Sequence, residues 1–398
     1  MNRFRHLFAA LLVGGLLRVL LACQTPTGFE AFRGGLSWYN DELAHLNYVR
    51  HLVEERAFPE KVGSVKAPDA FRRGDFEYYQ PPLAYLAQAP AWMLGERIQP
   101  GMGWLAARLL EIVFSLLAIA VARSIAHRLA PGTGDAVAWM LALHPGLAYQ
   151  GTLVSNDPFF WLLAALYLRT VLELPRNGPS WPLFPLAAAL FLTKSSAVVL
   201  LPLPFLAVTP PLVDDFRPRR LVAPSLALLA GLAAAAPWYL RNLELHHSLL
   251  ALETGHGAPY VVRDTLHDIP VLKMMTLYFL GSLWYPMDQL TSMRLLPRIL
   301  ESVACAAWVL PTVVEWGRAR TSRLMPLLWA ALVLGVLAFI PYAIRYRQSE
   351  ARLLFHLLPA FTALWAISVG PRPTRWTWMA LAPCLVAWVV IFGRYAAG

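Results

Sequence analysis

The chain has 398 residues; 58% are hydrophobic, only 15% are charged, and the formal net charge is +10. Soluble domains carry about 25% charged and roughly 45–50% apolar residues, so this composition excludes a water-soluble globular protein and assigns the excess to lipid. The basic residues stand in short clusters between apolar runs, as in cytoplasmic loops, and no basic groove or recognition motif points to nucleic acid. Cys23, Cys305 and Cys384 lie in or beside apolar runs, without CxxC or Cys/His spacing, which sets aside a disulfide framework and redox chemistry.

Taken in chain order, Arg3 and Arg5 precede an apolar run at 7–23 that contains Arg18. An arginine is foreign to a signal-peptide core, and many apolar runs follow, so this run reads as a retained first span. A long outer loop, 24–103, comes next. In it, Leu43, Leu46, Val49, Leu52 and Val53 recur at helical spacing, which predicts an amphipathic helix on the membrane beginning near Asn40 or Asp41. Further spans are predicted near 104–127, 135–150, 157–174, 181–195, 196–210, 221–239, 295–316, 323–342, 352–370 and 375–393, about eleven in all. Thr193-Lys194-Ser195-Ser196 reads as a tight turn between two of them. A second long outer loop covers 240–294.

Lysine and arginine placement orients the chain. With the N-terminus in the cytoplasm, the inner side collects Arg3 and Arg5, Arg123 and Arg128, Arg169 and Arg176, Arg217, Arg219 and Arg220, Arg318, Arg320 and Arg323, and Arg372 and Arg375. The outer loop 151–156 carries none, as the positive-inside rule requires. If the apolar stretch 271–286 crossed, Arg318, Arg320 and Arg323 would move outside. It is therefore expected to be interfacial, with Tyr278, Trp284 and Tyr285 at the boundary. The fold class expected is an all-α polytopic membrane protein forming one transmembrane domain over 1–398.

The groups able to do chemistry gather on the outer side. Asp41 and Glu42 follow the first span and precede His45; as a bland alternative they cap a helix. Asp157, in Asn156-Asp157-Pro158, opens a span on the same side, where capping is again the competing reading. Basic residues join them: Lys194 between two spans, Arg241 directly after one, Arg108 near the outer end of another, and Arg345, Arg347 and Arg352 in a cluster. Snorkelling explains any one of these. Several arginines on the face that holds two acids suggest an anionic ligand, because guanidinium recognises phosphate bidentately. No Gly-rich phosphate loop, GxSxG or HExxH occurs.

The order of short motifs is itself informative: a span, an Asp-Glu pair on an outer helix, Gln80-Pro81-Pro82-Leu83, an Asn-Asp-Pro span entry, Leu192-Thr193-Lys194, Pro237-Trp238-Tyr239-Leu240-Arg241-Asn242, and Glu350-Ala351-Arg352-Leu353-Leu354 with Pro359 beyond. This order resembles the GT-C superfamily of membrane glycosyltransferases, in particular its protein O-mannosyltransferase and aminoarabinose (lipid A) transferase-like branch. The resemblance implies a bundle of about eleven transmembrane helices with amphipathic juxtamembrane helices. It also implies a polyprenyl-phosphate-linked sugar as donor and an active site on the periplasmic, lumenal or extracellular face. Asp41 matches the catalytic acid position, with Glu42 its companion and Asp157 the second acid. Arg241 and Arg352 match the donor-phosphate contacts, and Lys194, Arg108 and Arg347 are looser candidates for the same task. Tyr39, His45, Tyr79, Gln80, Trp238 and Asn242 are the candidate lining of a donor and acceptor pocket. Gln80 departs from the pattern, since a basic residue or histidine often precedes the two prolines. With the sequence ending at Gly398 directly after a span, the soluble C-terminal domain that some relatives carry is not expected.

The chemistry implied is a single, inverting displacement. The donor phosphodiester leaves as a phosphate monoester, which needs positive charge rather than a general acid. The acceptor hydroxyl needs a carboxylate to take its proton. This differs from the paired carboxylates of glycosidases. No cofactor is expected to be required. Asp41, Glu42, His45, Asp157, His246, His247, His256 and His267 could supply metal ligands, but a divalent metal is not expected to be needed. The partners expected are the lipid-linked sugar, membrane lipids and an acceptor that is a lipid, glycan or protein. The expected location is the inner (plasma) membrane of a prokaryote. The competing readings are a lipid-linked-sugar flippase or transporter, which would place polar residues at mid-depth in several spans, and a non-catalytic scaffold.

Overall fold

The computed structural model describes residues 2–25, 42–60, 76–176, 178–209, 212–213, 216–251, 279, 282–283, 296–319, 322–346, 350–370 and 373–397. Regular structure among them is entirely helical. The α-helices are α1 (Asn2–Gln24), α2 (Glu42–Glu54), α3 (Leu83–Ile98), α4 (Gly103–Leu129), α5 (Gly134–Leu143), α6 (Pro145–Gln150), α7 (Asp157–Glu173), α8 (Leu183–Phe191), α9 (Leu203–Ala207), α10 (Val222–His246), α11 (Leu296–Val314), α12 (Trp316–Ala319), α13 (Met325–Tyr346), α14 (Leu358–Val369) and α15 (Thr374–Ala397). Short 3-10 turns precede several of them.

Seven helical segments among the described residues are long and apolar enough to cross a membrane: Arg5–Gln24, Gly103–Leu129, Asp157–Arg176, Pro218–His246, Met325–Arg345, Ala351–Val369 and Thr374–Phe392. The chain is a multi-pass membrane protein. Three other expected runs form shorter helices. The run 135–150 breaks into α5 and α6, because Pro145 has no amide hydrogen to continue the ladder. The run 181–195 yields only the 9-residue α8, about 14 Å of helix against a hydrocarbon core of about 30 Å. The run 196–210 becomes a 3-10 turn, Ser195–Leu200, and the 5-residue α9, with Pro202 and Pro204 at its start. Helix α11, Leu296–Val314, covers the run expected at 295–316. Helix α10 also runs on to His246, past the expected end at 239, so Arg241 and Asn242 stand on a helix rather than in a loop.

The spanning helices are apolar outside as well as inside. On α10, Val222, Leu226, Leu229, Leu240 and Leu243 are exposed, while Leu228, Gly231, Ala235 and Trp238 are buried. An apolar exposed stripe is what lipid requires.

By their contacts the residues fall into two compact units, one of Met1–Arg18, Leu116–Gln150 and Asp264–Gly398, the other of Val19–Ser115 and Gly151–Arg263. In the second, α10 packs along α8 and α2 packs on α3. Gly231 permits the first contact: a Cβ there would lie 2.7 Å from the Ala187 Cβ and 2.8 Å from the Phe184 carbonyl oxygen. Leu46, Tyr48, Val49, Tyr85, Ala107 and Val154 form the core under α2. That helix forms where the apolar spacing predicts, but it is enclosed by protein on more than one side. Glu42, His45, Asn47 and His51 are buried along with its apolar residues.

In the first unit, α11 packs on α14 and α15, and α15 packs on α5. Arg18 is fully buried there. Its Nη1 donates to the Gly14 carbonyl at 3.0 Å and to the Ala142 carbonyl at 3.0 Å. Trp388 Nε1 donates to the next carbonyl, Leu143, at 2.9 Å. The carbonyls freed where α5 stops before Pro145 are thus met by an arginine and an indole. The mid-span charge serves as a helix C-cap.

Candidate active site

The site is built within the second unit from α2, the 3-10 turn Phe76–Tyr79, the N-terminal part of α4, the C-terminal end of α10, and the turn that enters α7. Asp41 and Tyr39 lie outside the described residues. Helix α2 opens at Glu42, whose side chain is fully buried. Arg108 Nε and Nη2 donate to its two carboxylate oxygens at 2.7 and 2.6 Å, a bidentate pair. Arg108 Nη1 donates to the carbonyls of Ala22 and Thr25, at 2.7 Å each. The backbone N–H of Val154 donates to Glu42 Oε1 at 3.0 Å. An arginine at the end of an apolar span, shut away from water, is best satisfied by a carboxylate. Glu42 and Arg108 are thus committed to each other and to backbone.

Asp157 is the first residue of α7, followed by Pro158. The helix cap position is Asn156, so Asp157 is not the cap. Its carboxylate is paired with the Lys194 ammonium. Lys194 stands in extended backbone between α8 and the 3-10 turn Ser195–Leu200, the turn expected there. Asn156 Nδ2 donates to Gln80 Oε1 at 3.3 Å and to the Thr193 carbonyl at 3.4 Å. Gln80 is a meeting point: its own carbonyl accepts from the Tyr48 hydroxyl at 3.3 Å, and its Nε2 donates to the Tyr79 hydroxyl at 3.4 Å.

The end of α10 joins the same network. Trp238 Nε1 and Asn242 Nδ2 both donate to the Tyr79 carbonyl, at 3.3 and 3.0 Å. The Arg241 guanidinium lies over the Trp238 ring, 4.7 Å from its centroid, and its Nη2 donates to the Pro59 carbonyl at 2.9 Å. Its Nη1 is buried without a hydrogen-bond partner among the described residues. On α2, His45 Nδ1 and the Tyr85 hydroxyl share a 2.7 Å hydrogen bond, and the Tyr48 and Tyr85 rings stack with centroids 3.9 Å apart. Burial pushes both phenols above their ordinary range, with the Arg241 charge pulling Tyr48 the other way. They act as neutral hydrogen-bonding groups. No group of three metal-ligating side chains occurs among the described residues; His256 and His267 lie outside them.

No protein-family model and no curated protein sequence matches the chain. Solved structures do. The crystal structure of ArnT from Cupriavidus metallidurans bound to undecaprenyl phosphate matches with a TM-score of 0.57 at 16% identity, over 98% of this chain and 63% of that one. ArnT in the apo state matches with a TM-score of 0.53 at 15% identity, over 86% and 57%. The Archaeoglobus fulgidus oligosaccharyltransferase in complex with zinc and sulfate matches with a TM-score of 0.51 at 13% identity, over 98% and 52%. The fold is that of the GT-C membrane glycosyltransferases. The chain spans between 52% and 63% of the length of these GT-C proteins.

Arg352 belongs to the first unit. It is buried in the 3-10 turn Ala351–Leu357 and paired with the Glu350 carboxylate. The next amide, Ala351, donates to Ser282 Oγ at 2.9 Å. Arg347 lies outside the described residues, as does the 271–286 stretch except for Phe279, Ser282 and Leu283. Sequence reasoning missed several residues that the GT-C fold gathers at the site. Tyr48 and Tyr85 belong to no motif singled out in the sequence. Gln88 and Glu111 stand alone in apolar helices, and the signal that could have found them is their polarity at a spacing of one helical turn from Tyr85 and Arg108.

Proposed function

We propose that the protein is a glycosyltransferase that moves a single sugar from a polyprenyl-phosphate-sugar donor to an acceptor hydroxyl on the non-cytoplasmic face, with inversion. Asp41 is the base that takes the acceptor proton, and Arg241 holds the donor phosphate. Arg352 is assigned the same anionic donor on its sequence motif alone. Asp157, neutralised by Lys194, shapes the floor of the site together with Asn156 and Gln80, and Glu42 anchors the helix that follows Asp41.

The observation that carries this reading is the state of Arg241. Its guanidinium is fixed by Trp238 and Pro59, and its buried Nη1 has no acceptor among the described residues. A buried, unsatisfied donor on a cation is costly unless a ligand completes it. A phosphate oxygen does so with a charge-assisted hydrogen bond and gains from it as negative charge grows on the leaving group. The likeness to ArnT bound to undecaprenyl phosphate supports a polyprenyl-phosphate donor, and the match to an oligosaccharyltransferase supports sugar transfer.

The test begins with native mass spectrometry of the purified protein to identify a co-purified polyprenyl-phosphate sugar. That donor is then supplied to wild type and Asp41→Asn in reconstituted vesicles. Loss of at least about 10²-fold in turnover is expected for removal of a general base. Undiminished turnover would overturn the assignment of Asp41.

A further inference from the structure

The fully buried Glu111 and Gln88 are used by none of the chemistry above. Glu111 stands one turn after Arg108 on α4, on the same face. Gln88 Nε2 lies 2.6 Å from Glu111 Oε1 and 2.6 Å from the Ser155 carbonyl oxygen. Two acceptors facing one nitrogen fix the amide: its two N–H groups are both spent, and its oxygen must point away. The far end of this relay is the turn entering α7. The neighbouring residue of that turn, Val154, is held through its N–H by Glu42, itself gripped by Arg108. Successive residues on one helix face therefore hold successive residues of one turn: Arg108 through Glu42 to Val154, and Glu111 through Gln88 to Ser155. Asn156 and Asp157 come next, and the Asp157 N–H is closed onto Ser155 Oγ at 3.2 Å.

We propose that Glu111 and Gln88 are positioning residues, a hydrogen-bonded strut that sets the turn presenting Asn156 and Asp157 to the site. The strut needs an acceptor at position 111, not a charge there. Among the described residues Gln88 Oε1 and Glu111 Oε2 have no hydrogen-bond partner, and the strut is specified by the two short bonds. Its effect on turnover rests on the glycosyl-transfer reading; its effect on the turn does not.

Hydrogen exchange of the full-length protein in lipid nanodiscs separates the two. Glu111→Ala is expected to lower protection of the 151–157 amides about 10-fold or more, leaving 222–246 unchanged, because local opening is governed by local contacts. Glu111→Gln, which keeps a carbonyl acceptor, is expected to retain wild-type protection. In turnover assays, Glu111→Ala is expected to lose about 10²-fold in kcat with the donor KM little changed, the effect of misplacing a group by about 1 Å, and Glu111→Gln to be restored. If Glu111→Ala does not fold, Gln88→Leu carries the same readout. Equal loss in Glu111→Gln and Glu111→Ala, or unchanged protection of 151–157 in both Glu111→Ala and Gln88→Leu, overturns the proposal.

Discussion

At the scale of single residues, the informative feature is how few of the site's charges remain uncommitted. Glu42 has both carboxylate oxygens on Arg108 and one also on the Val154 amide. Asp157 has Lys194. Removing one member of the buried Glu42–Arg108 pair leaves the other unpaired, at a cost of about 3–5 kcal/mol, whereas replacing both with apolar residues is far less damaging. Glu42→Met and Arg108→Met are each expected to lower thermal stability in detergent sharply, and the double variant to recover much of the loss. Additive losses in that double-mutant cycle would show that the pair is not coupled. The types of these residues were readable in the sequence, and their partners were not. Glu42 and Arg108 are 66 positions apart, and each alone looks like a group waiting for a ligand. Glu111 was missed for the converse reason: one acid in an apolar run looks like tolerated noise until Gln88 is placed beside it.

At the scale of elements, the long uninterrupted runs were legible because a 20-residue apolar stretch has few alternatives in lipid. α1, α4, α7, α10, α13 and α15 fall close to their expected positions. The runs at 135–150 and 196–210 form shorter helices than their hydropathy suggests, because hydropathy records composition and ignores proline placement. Pro145 stands at the break between α5 and α6, and Pro202 and Pro204 at the start of α9. Helix α10 owes its seat on α8 to Gly231. A Gly231→Val change would push Cβ into Ala187 and the Phe184 carbonyl, and overpacking of this kind typically costs about 1–3 kcal/mol. The expected outcome is a lowered melting temperature with weakened donor binding, because Trp238, Arg241 and Asn242 ride on the same helix. An unchanged melting temperature would mean that the two helices separate freely.

At the scale of the molecule, the GT-C architecture was legible from the order of weak motifs rather than from any one of them. The orientation proposed from charge places the N-terminus in the cytoplasm. A cleavable tag at Met1 is expected to survive protease added to intact spheroplasts and to be cut once they are lysed; cutting before lysis would invert the proposed topology. The Glu42–Arg108 pair also bears on how the chain is made. Synthesis runs from the N-terminus, so the segment bearing Glu42 is complete before α4 leaves the ribosome. Arg108 thus enters the bilayer with its counter-charge already waiting, and the insertion machinery need not shelter a bare guanidinium until a later helix arrives.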